Sequence, residues 1–244
     1  MPVRNDPRQY DDLAGEWWRP GGSFELLHWL AAARGALVPA AVRPGAVLVD
    51  AGCGGGLLAP HVEHLGYRHV GVDLRRSGLE QAAARGVSPI AGDVAALPLA
   101  DESADVVVAG EILEHVPDLS ATVAELCRVL RPGGLLVLDT LNATRQARFI
   151  AVTVGEWLGV APVGIHDPEL FVDPGDLTMH CAKHGVRLRV RGVRPSAPGL
   201  LSWLFLPAGA QSRRVGRMVP TRSTQVLYQG IGRKQGASTG QVPA

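Results

Sequence analysis

The sequence predicts an α/β fold in which a doubly wound, mainly parallel sheet of seven strands carries helices on both faces. One observation behind this is the alternation of short apolar runs with helix-patterned segments from residue 46 onward. Parallel neighbours need a crossover, and a helix is its usual form. A second is VLVDAGCGGG (47–56), an apolar strand that runs into a turn of small residues. The third is HVGVD (69–73), an apolar strand ending on Asp73, 21 positions after Gly52. Strand, glycine turn, helix and acid-tipped strand form the front half of a nucleotide-binding unit.

Ahead of the sheet, Tyr10, Leu13, Trp17, Trp18, Phe24, Leu27, Leu30 and Leu37 recur at helical intervals. Pro20-Gly21-Gly22 divides them into two helices, so residues 1–42 read as a helical extension packing on the core. Strands are predicted at 46–50, 69–73, 87–91, 104–110 and 135–141, with helices over about 56–65, 77–85 and 119–130. Arg131-Pro132-Gly133-Gly134 stops the last of these helices. An apolar segment then spans 147–163, a helix 174–184, and strands 187–193 and 225–232. The sheet domain therefore covers 43–234, and QGASTGQVPA (235–244) is predicted to be a disordered tail.

Composition narrows the function classes. A chain of 244 residues, 46% hydrophobic, can bury one full α/β core. A net charge of +1 gives no electrostatic footprint for nucleic acid. Cys53, Cys127 and Cys181 have no ligand-like spacing, and an odd count argues against a disulfide framework. The opening residues MPVRNDPRQYDD carry no apolar run, which predicts a cytoplasmic location. No run approaches the roughly 20 residues that span a bilayer.

Details of the turn separate two cofactor classes. A pyrophosphate-binding G-x-G-x-x-G using Gly52 and Gly54 needs a third glycine where this chain has Leu57. Asp50 would repel a pyrophosphate but attract the ammonium and sulfonium of S-adenosylmethionine. Asp73 can accept from both ribose hydroxyls. After the third strand, Asp93 can accept from the adenine amine while the Val94 amide meets a ring nitrogen; alternatively Asp93 is a plain turn residue.

EILEH (111–115) follows the fourth strand, at the carboxyl edge where parallel sheets bind ligands. Turned helically, Glu111, Glu114 and His115 share one face. Three readings stay open for them. They hold a divalent ion that acidifies a phenol or catechol; His115 acts alone as a general base; or the segment is a surface turn. Trp17 and Trp18 cannot both face inward, so one belongs to a pocket or interface. The segments at about 145–165 and 200–217, including LLSWLFL followed by Arg213, Arg214 and Arg217, suit a membrane surface, a greasy tunnel or ordinary core.

Together these residues resemble the class I S-adenosylmethionine-dependent methyltransferases, Rossmann-like in fold, and more closely the UbiG type of quinone-pathway O-methyltransferase. VLVDAGCGGG, Asp73, LEHVPD and the later RPGG carry the general likeness. The more specific likeness lies in WWRPGGSFELLHWLAAAR (17–34), Thr140-Leu141-Asn142, Gly164-Ile165-His166-Asp167, Phe171, Pro174, Asp176 and Leu177. It covers most of residues 10–185. The resemblance implies that Arg34, Gly52, Asp73 and Gly110 line the cofactor, and that Glu111, Glu114 and His115 hold a magnesium-type ion. It also implies membrane contact near 145–165, because the family's quinols carry polyprenyl tails. Ala31-Ala32 replace the family's Asn-Pro, Gly110 replaces a methionine, and 195–222 departs from the pattern. The function expected is O-methylation of a phenolic or quinol-like small molecule. A nicotinamide-dependent reductase and a catalytically silent cofactor-binding protein are the alternatives.

Overall fold

A computed structural model describes residues 4–159, 161–205 and 216–236. The N-terminal segment holds a short helix α1 (Gln9–Asp12), a 3-10 turn (Ala14–Glu16) and α2 (Glu25–Gly35). The sheet then begins with β1 (Val47–Ala51), α3 (Ala59–Val62), β2 (Arg68–Asp73), α4 (Arg76–Ala83), β3 (Ser88–Ala91) and β4 (Ala104–Gly110). It continues through α5 (Leu119–Val129) into β5 (Leu130–Leu141). A helical stretch follows as α6 (Arg145–Ala147), a π-helical run (Arg148–Val154) and α7 (Gly155–Trp157). The described chain ends with α8 (Pro174–Lys183), β6 (Val186–Pro195), α9 (Ala197–Phe205), β7 (Met218–Thr221) and β8 (Leu227–Lys234).

The strands lie in the order β3-β2-β1-β4-β5-β8-β6-β7. β1 to β5 run parallel, and β8 inserts antiparallel between β5 and β6. The chain moves outward from β1 to β2 and β3, then crosses back to β4. A crevice opens at that switch, outside the carboxyl ends of β1 and β4. Alternate residues of the central strands feed two cores. Val49, Val107 and Leu136 pack with α5 and α8 on one face, while Leu48, Val106 and Val137 pack with Leu58 and Val62 on the other. Burial on both faces explains why these strands read as continuous apolar runs.

The described sheet has eight strands rather than the seven expected. The added strand, Met-Val-Pro-Thr, pairs with β6 at the sheet edge, where a proline costs no ladder hydrogen bond. The helix expected over 56–65 is interrupted. Pro60 lies in the first turn of the four-residue α3, which gives way to a 3-10 turn at Glu63–Leu65. β5 begins at Leu130, before the Arg-Pro-Gly-Gly expected to separate helix from strand; a register irregularity between Ala104 and Val106 absorbs those residues. Arg213, Arg214 and most of the expected tail lie outside the described residues.

Candidate active site

Residues from the strand tips and the N-terminal segment enclose a cavity of about 240 Å³. Arg34, Asp50, Gly52, Gly54, Asp73, Asp93, Val94, Gly110, Glu111 and His115 all line it. Of the expected site residues only Glu114 is absent from its wall. The glycine turn forms one side. Gly54 has φ +49°, and a Cβ there would overlap the six-membered ring of Trp17. That combination explains why a residue with no side chain is needed. Trp17 is the inward-facing member of the tryptophan pair and lies across Gly54 and Gly55. Trp18 is half-buried; its Nε1–H donates to the Gly55 carbonyl at 2.9 Å, and Arg85 stacks on its ring. The N-terminal segment thereby straps the turn from outside the sheet.

Asp73 locks the turn from the other side. Its Oδ2 accepts from Gly54 N–H and its Oδ1 from Arg75 N–H, both at 2.8 Å. Burial raises its pKa, and these two amides oppose the rise. A carboxylate offers about four acceptor sites, so hydrogen-bonding capacity remains toward the cavity. Asp50 is buried in the floor with His69 Nε2 3.5 Å away. Asp93 accepts from the Ala95 amide at 2.8 Å, as a turn residue does, while also lining the cavity.

Arg34 reaches the site from α2. Its Nη1 donates to Asp139 Oδ1 at 2.5 Å, an ion pair buried on both sides. A Cβ at Gly110 would overlap this guanidinium, so the glycine at the tip of β4 is what lets Arg34 cross to β5. Asp139 was not singled out from the sequence, although an acid inside the apolar LLVLDTL was a usable signal. Three buried donors of cavity-lining residues, Trp17 Nε1, Arg34 Nε and Arg75 Nε, lack a partner among the described residues. Orphaned donors beside a glycine cradle, an acid at the tip of β2 and Asp50 in the floor fit S-adenosylmethionine.

The expectation that Glu111, Glu114 and His115 share a helical face is corrected. Glu111 has φ +51°, a left-handed conformation unusual for a side-chain-bearing residue, and the helical turn begins only after it. Glu114 is fully buried and accepts from Thr140 Oγ1 at 2.8 Å. Burial, with Glu114 and Asp139 nearby, holds Glu111 well above the usual carboxylate range, and burial raises Glu114 to about 7. His115 is engaged elsewhere, with Asn5 Oδ1 2.6 Å from its Nδ1 and the Tyr10 hydroxyl 3.3 Å from its Nε2. Among the described residues no three His, Cys, Asp or Glu side chains are grouped to hold a metal ion. These three therefore do not fit a divalent ion in this structure: two are carboxyls drawn toward Asp139 and Thr140, and the imidazole is committed to the N-terminal segment.

His115 sits at the junction of the N-terminal segment and the 160s loop. His166 stacks 5.5 Å away, and Tyr10 meets its edge. Enclosure pushes the His115 imidazole down to about 3 and His166 to about 4. Both are neutral near pH 7. Asn5 and Tyr10 were not expected as site residues, because their link to His115 spans more than a hundred positions and leaves no local pattern.

The comparisons with known proteins agree with this architecture. A methyltransferase-domain family model matches residues 49–138. The chain is 35% identical over 201 residues to a ubiquinone biosynthesis O-methyltransferase of Cupriavidus pinatubonensis, covering 77% of this chain and 81% of that protein. It is 33% identical over 201 residues to the same-named protein of Parvibaculum lavamentivorans, covering 74% and 79%. Among solved structures, a SAM-dependent methyltransferase from Thermotoga maritima superposes with a TM-score of 0.62 at 19% identity, over 93% of this chain and 98% of that one.

Proposed function

Because the chain belongs to the family of the ubiquinone biosynthesis O-methyltransferases, which are S-adenosylmethionine-dependent methyltransferases, we propose that it methylates a phenolic or catechol-type hydroxyl of a quinol-like, prenylated acceptor. The observation that carries this reading is a single cavity lined both by the donor-binding set and by a neutral imidazole. When bound, S-adenosylmethionine supplies an electrophilic methyl group on a cationic sulfur. Asp73 and the Gly52–Gly54 turn would hold its nucleoside, and Asp50 would favour its positive end. Leu57, buried with Trp17 and Phe24, stands where a pyrophosphate turn needs its third glycine, which disfavours the reductase alternative.

His115 would act as general base through Nε2. Burial keeps its imidazole neutral, the form able to take a proton, while making it a weaker base than an exposed histidine. The imidazole gains positive charge as the sulfonium loses it, so the site never has to hold two cations away from water. Magnesium, implied by the resemblance, has no matching donor set among the described residues and takes no part in this mechanism. Turnover should survive a chelator, and His115→Gln should lower kcat by about 10²–10⁴-fold. Loss of activity with the chelator, restored by Mg²⁺, would overturn the metal-free version.

Peripheral contact with the inner face of the membrane from the cytoplasm completes the proposal. Among the described residues no helix is long and apolar enough to cross a membrane. Phe149, Trp157, Val163, Leu201 and Phe205 are nonetheless exposed, Trp157 at 82% and Phe205 at 78%. They lie in the segments expected at such a surface, and large exposed apolar side chains gain most from an interface. Sedimentation with anionic phospholipid vesicles should recover the protein, and Trp157→Ala combined with Phe205→Ala should reduce recovery several-fold. Equal recovery of both proteins would remove this contact surface.

A further inference from the structure

A net charge of +1 conceals a division within the chain. Residues 1–176 carry 13 Lys or Arg against 23 Asp or Glu, whereas residues 177–244 carry 11 Lys or Arg and no acid. A split of −10 against +11 marks an electrostatic contact with a partner. Folding keeps this basic part together. It supplies β6, β7 and β8, which lie side by side at one end of the sheet, with the β3 edge at the other.

β6 presents its charge in a row. Val186 and Leu188 are buried in the core that holds Leu177 and Cys181 of α8, so the two-residue period turns Arg187, Arg189 and Arg191 to the opposite face. All three are exposed, and Arg187 lies directly opposite the exposed Arg233 of β8. Like charges so placed are destabilising. Among the described residues no acid forms an ion pair with any of these four arginines. Through β8, Arg187 is level with Leu135 and Arg191 with Asp139, so the row runs down the wall of the sheet from the height of the cavity.

The same half of β6 has an open side. β7 pairs only with Gly192–Pro195, and among the described residues no strand pairs with Val186–Arg191 on the side away from β8. Main-chain groups on such an edge are a template for another strand. A second copy does not suit it, because β6 against β6 would set arginine against arginine. Nucleic acid does not suit it either, since Val186–Arg191 holds no aromatic ring for a base to stack on. A bilayer lying across the carboxyl edge of the sheet would meet the row only at its upper end.

We propose that the open half of β6 is a docking edge for an acidic, extended segment of a partner protein, which adds as a strand beside Val186–Arg191 and sets its carboxylates against Arg187, Arg189 and Arg191. The fit lies in the shared period. Alternate residues of a strand stand about 6.8 Å apart on one face, so a carboxylate at every second position of the incoming strand meets the row one for one. Main-chain hydrogen bonds supply affinity, and the charges fix register and partner. The arginines that repel a second copy are the ones that select an acidic strand.

The test uses full-length wild type, the triple variant Arg187→Glu, Arg189→Glu, Arg191→Glu, and a fluorescein-labelled peptide of alternating glutamate and valine. The three side chains are exposed, and Arg187→Glu gives Arg233 an opposite charge, so the variant should keep the wild-type thermal melt and S-adenosylhomocysteine affinity. Fluorescence anisotropy should show saturable binding of the peptide to wild type, weakened about tenfold or more in the variant and weakening as salt rises. Hydrogen exchange should show the outward-pointing amides of Val186–Arg191 protected in the bound state. The same peptide N-methylated at alternate residues keeps its charge but loses main-chain donors, and should bind wild type about tenfold less tightly. No binding to wild type overturns the proposal. Equal binding of the N-methylated peptide, or unprotected amides, overturns it by showing charge attraction without strand addition. Phosphatidylglycerol vesicles or a DNA oligonucleotide bound through the three arginines, with the peptide ignored, would overturn it in favour of a phosphate surface.

Discussion

Asp73→Ala should weaken S-adenosylmethionine and S-adenosylhomocysteine binding by about a hundredfold or more. The loss follows from the chemistry at the tip of β2. A carboxylate accepting from two ribose hydroxyls makes two charge-assisted hydrogen bonds, each contributing about 1.5–3 kcal/mol. The substitution also releases the Gly54 and Arg75 amides that Asp73 holds at 2.8 Å, so the glycine turn loses its anchor before any ligand arrives. Asp73→Asn separates the two contributions, since its side-chain oxygen can still accept from one amide. Its loss should be intermediate. Calorimetric titration with S-adenosylhomocysteine measures both variants, and wild-type affinity in Asp73→Ala would remove the ribose role.

Arg34→Met should cost about 3–5 kcal/mol of stability, the range for removing one partner of a buried ion pair. Arg34 is the cation set against Asp139, with Glu111 close enough to hydrogen-bond that carboxyl and Glu114 adjoining. Without it, three neighbouring buried carboxyls are left with no cation against them. The pH dependence has a definite sign. Glu114 titrates near 7 in the folded protein against an ordinary 4.5, so the folded state binds more protons between those values. Lowering the pH from about 7 toward 4.5 therefore favours the folded state at this group, and without Arg34 the Glu111 and Asp139 carboxyls lose the cation that lowers them and add to the same trend. The deficit of Arg34→Met should shrink over that window. Arg34→Met with Asp139→Leu should recover part of the loss, because the uncompensated charge is removed with its partner. Denaturant melts at two pH values decide it; a constant deficit would mean the carboxyls are already neutral.

Much of this arrangement was legible in the sequence for identifiable reasons. VLVDA, HVGVD and ADVVVAG are buried on both faces, so composition alone marks them as central strands. Asp73 and the glycine turn are local in sequence, and their spacing survives folding intact. The difficulties began where local spacing stopped deciding. Glu111, Glu114 and His115 have helical spacing, but the left-handed backbone of Glu111 sends its carboxyl toward Asp139 instead of beside His115. Pro60 and the positive-φ glycines shortened α3. Edge strand β7 was too short and proline-marked to read as sheet. Asn5 and Tyr10 reach His115 across 110 and 105 positions, a distance at which a single sequence holds no periodic trace.

The most direct measurement is product analysis after incubating the protein with methyl-labelled S-adenosylmethionine and a prenylated catechol, a chelator being present throughout. The account predicts label on a phenolic oxygen, as an aryl methyl ether, with one S-adenosylhomocysteine released per label transferred. Label on carbon or nitrogen, or transfer only after a divalent cation is added back, would contradict it.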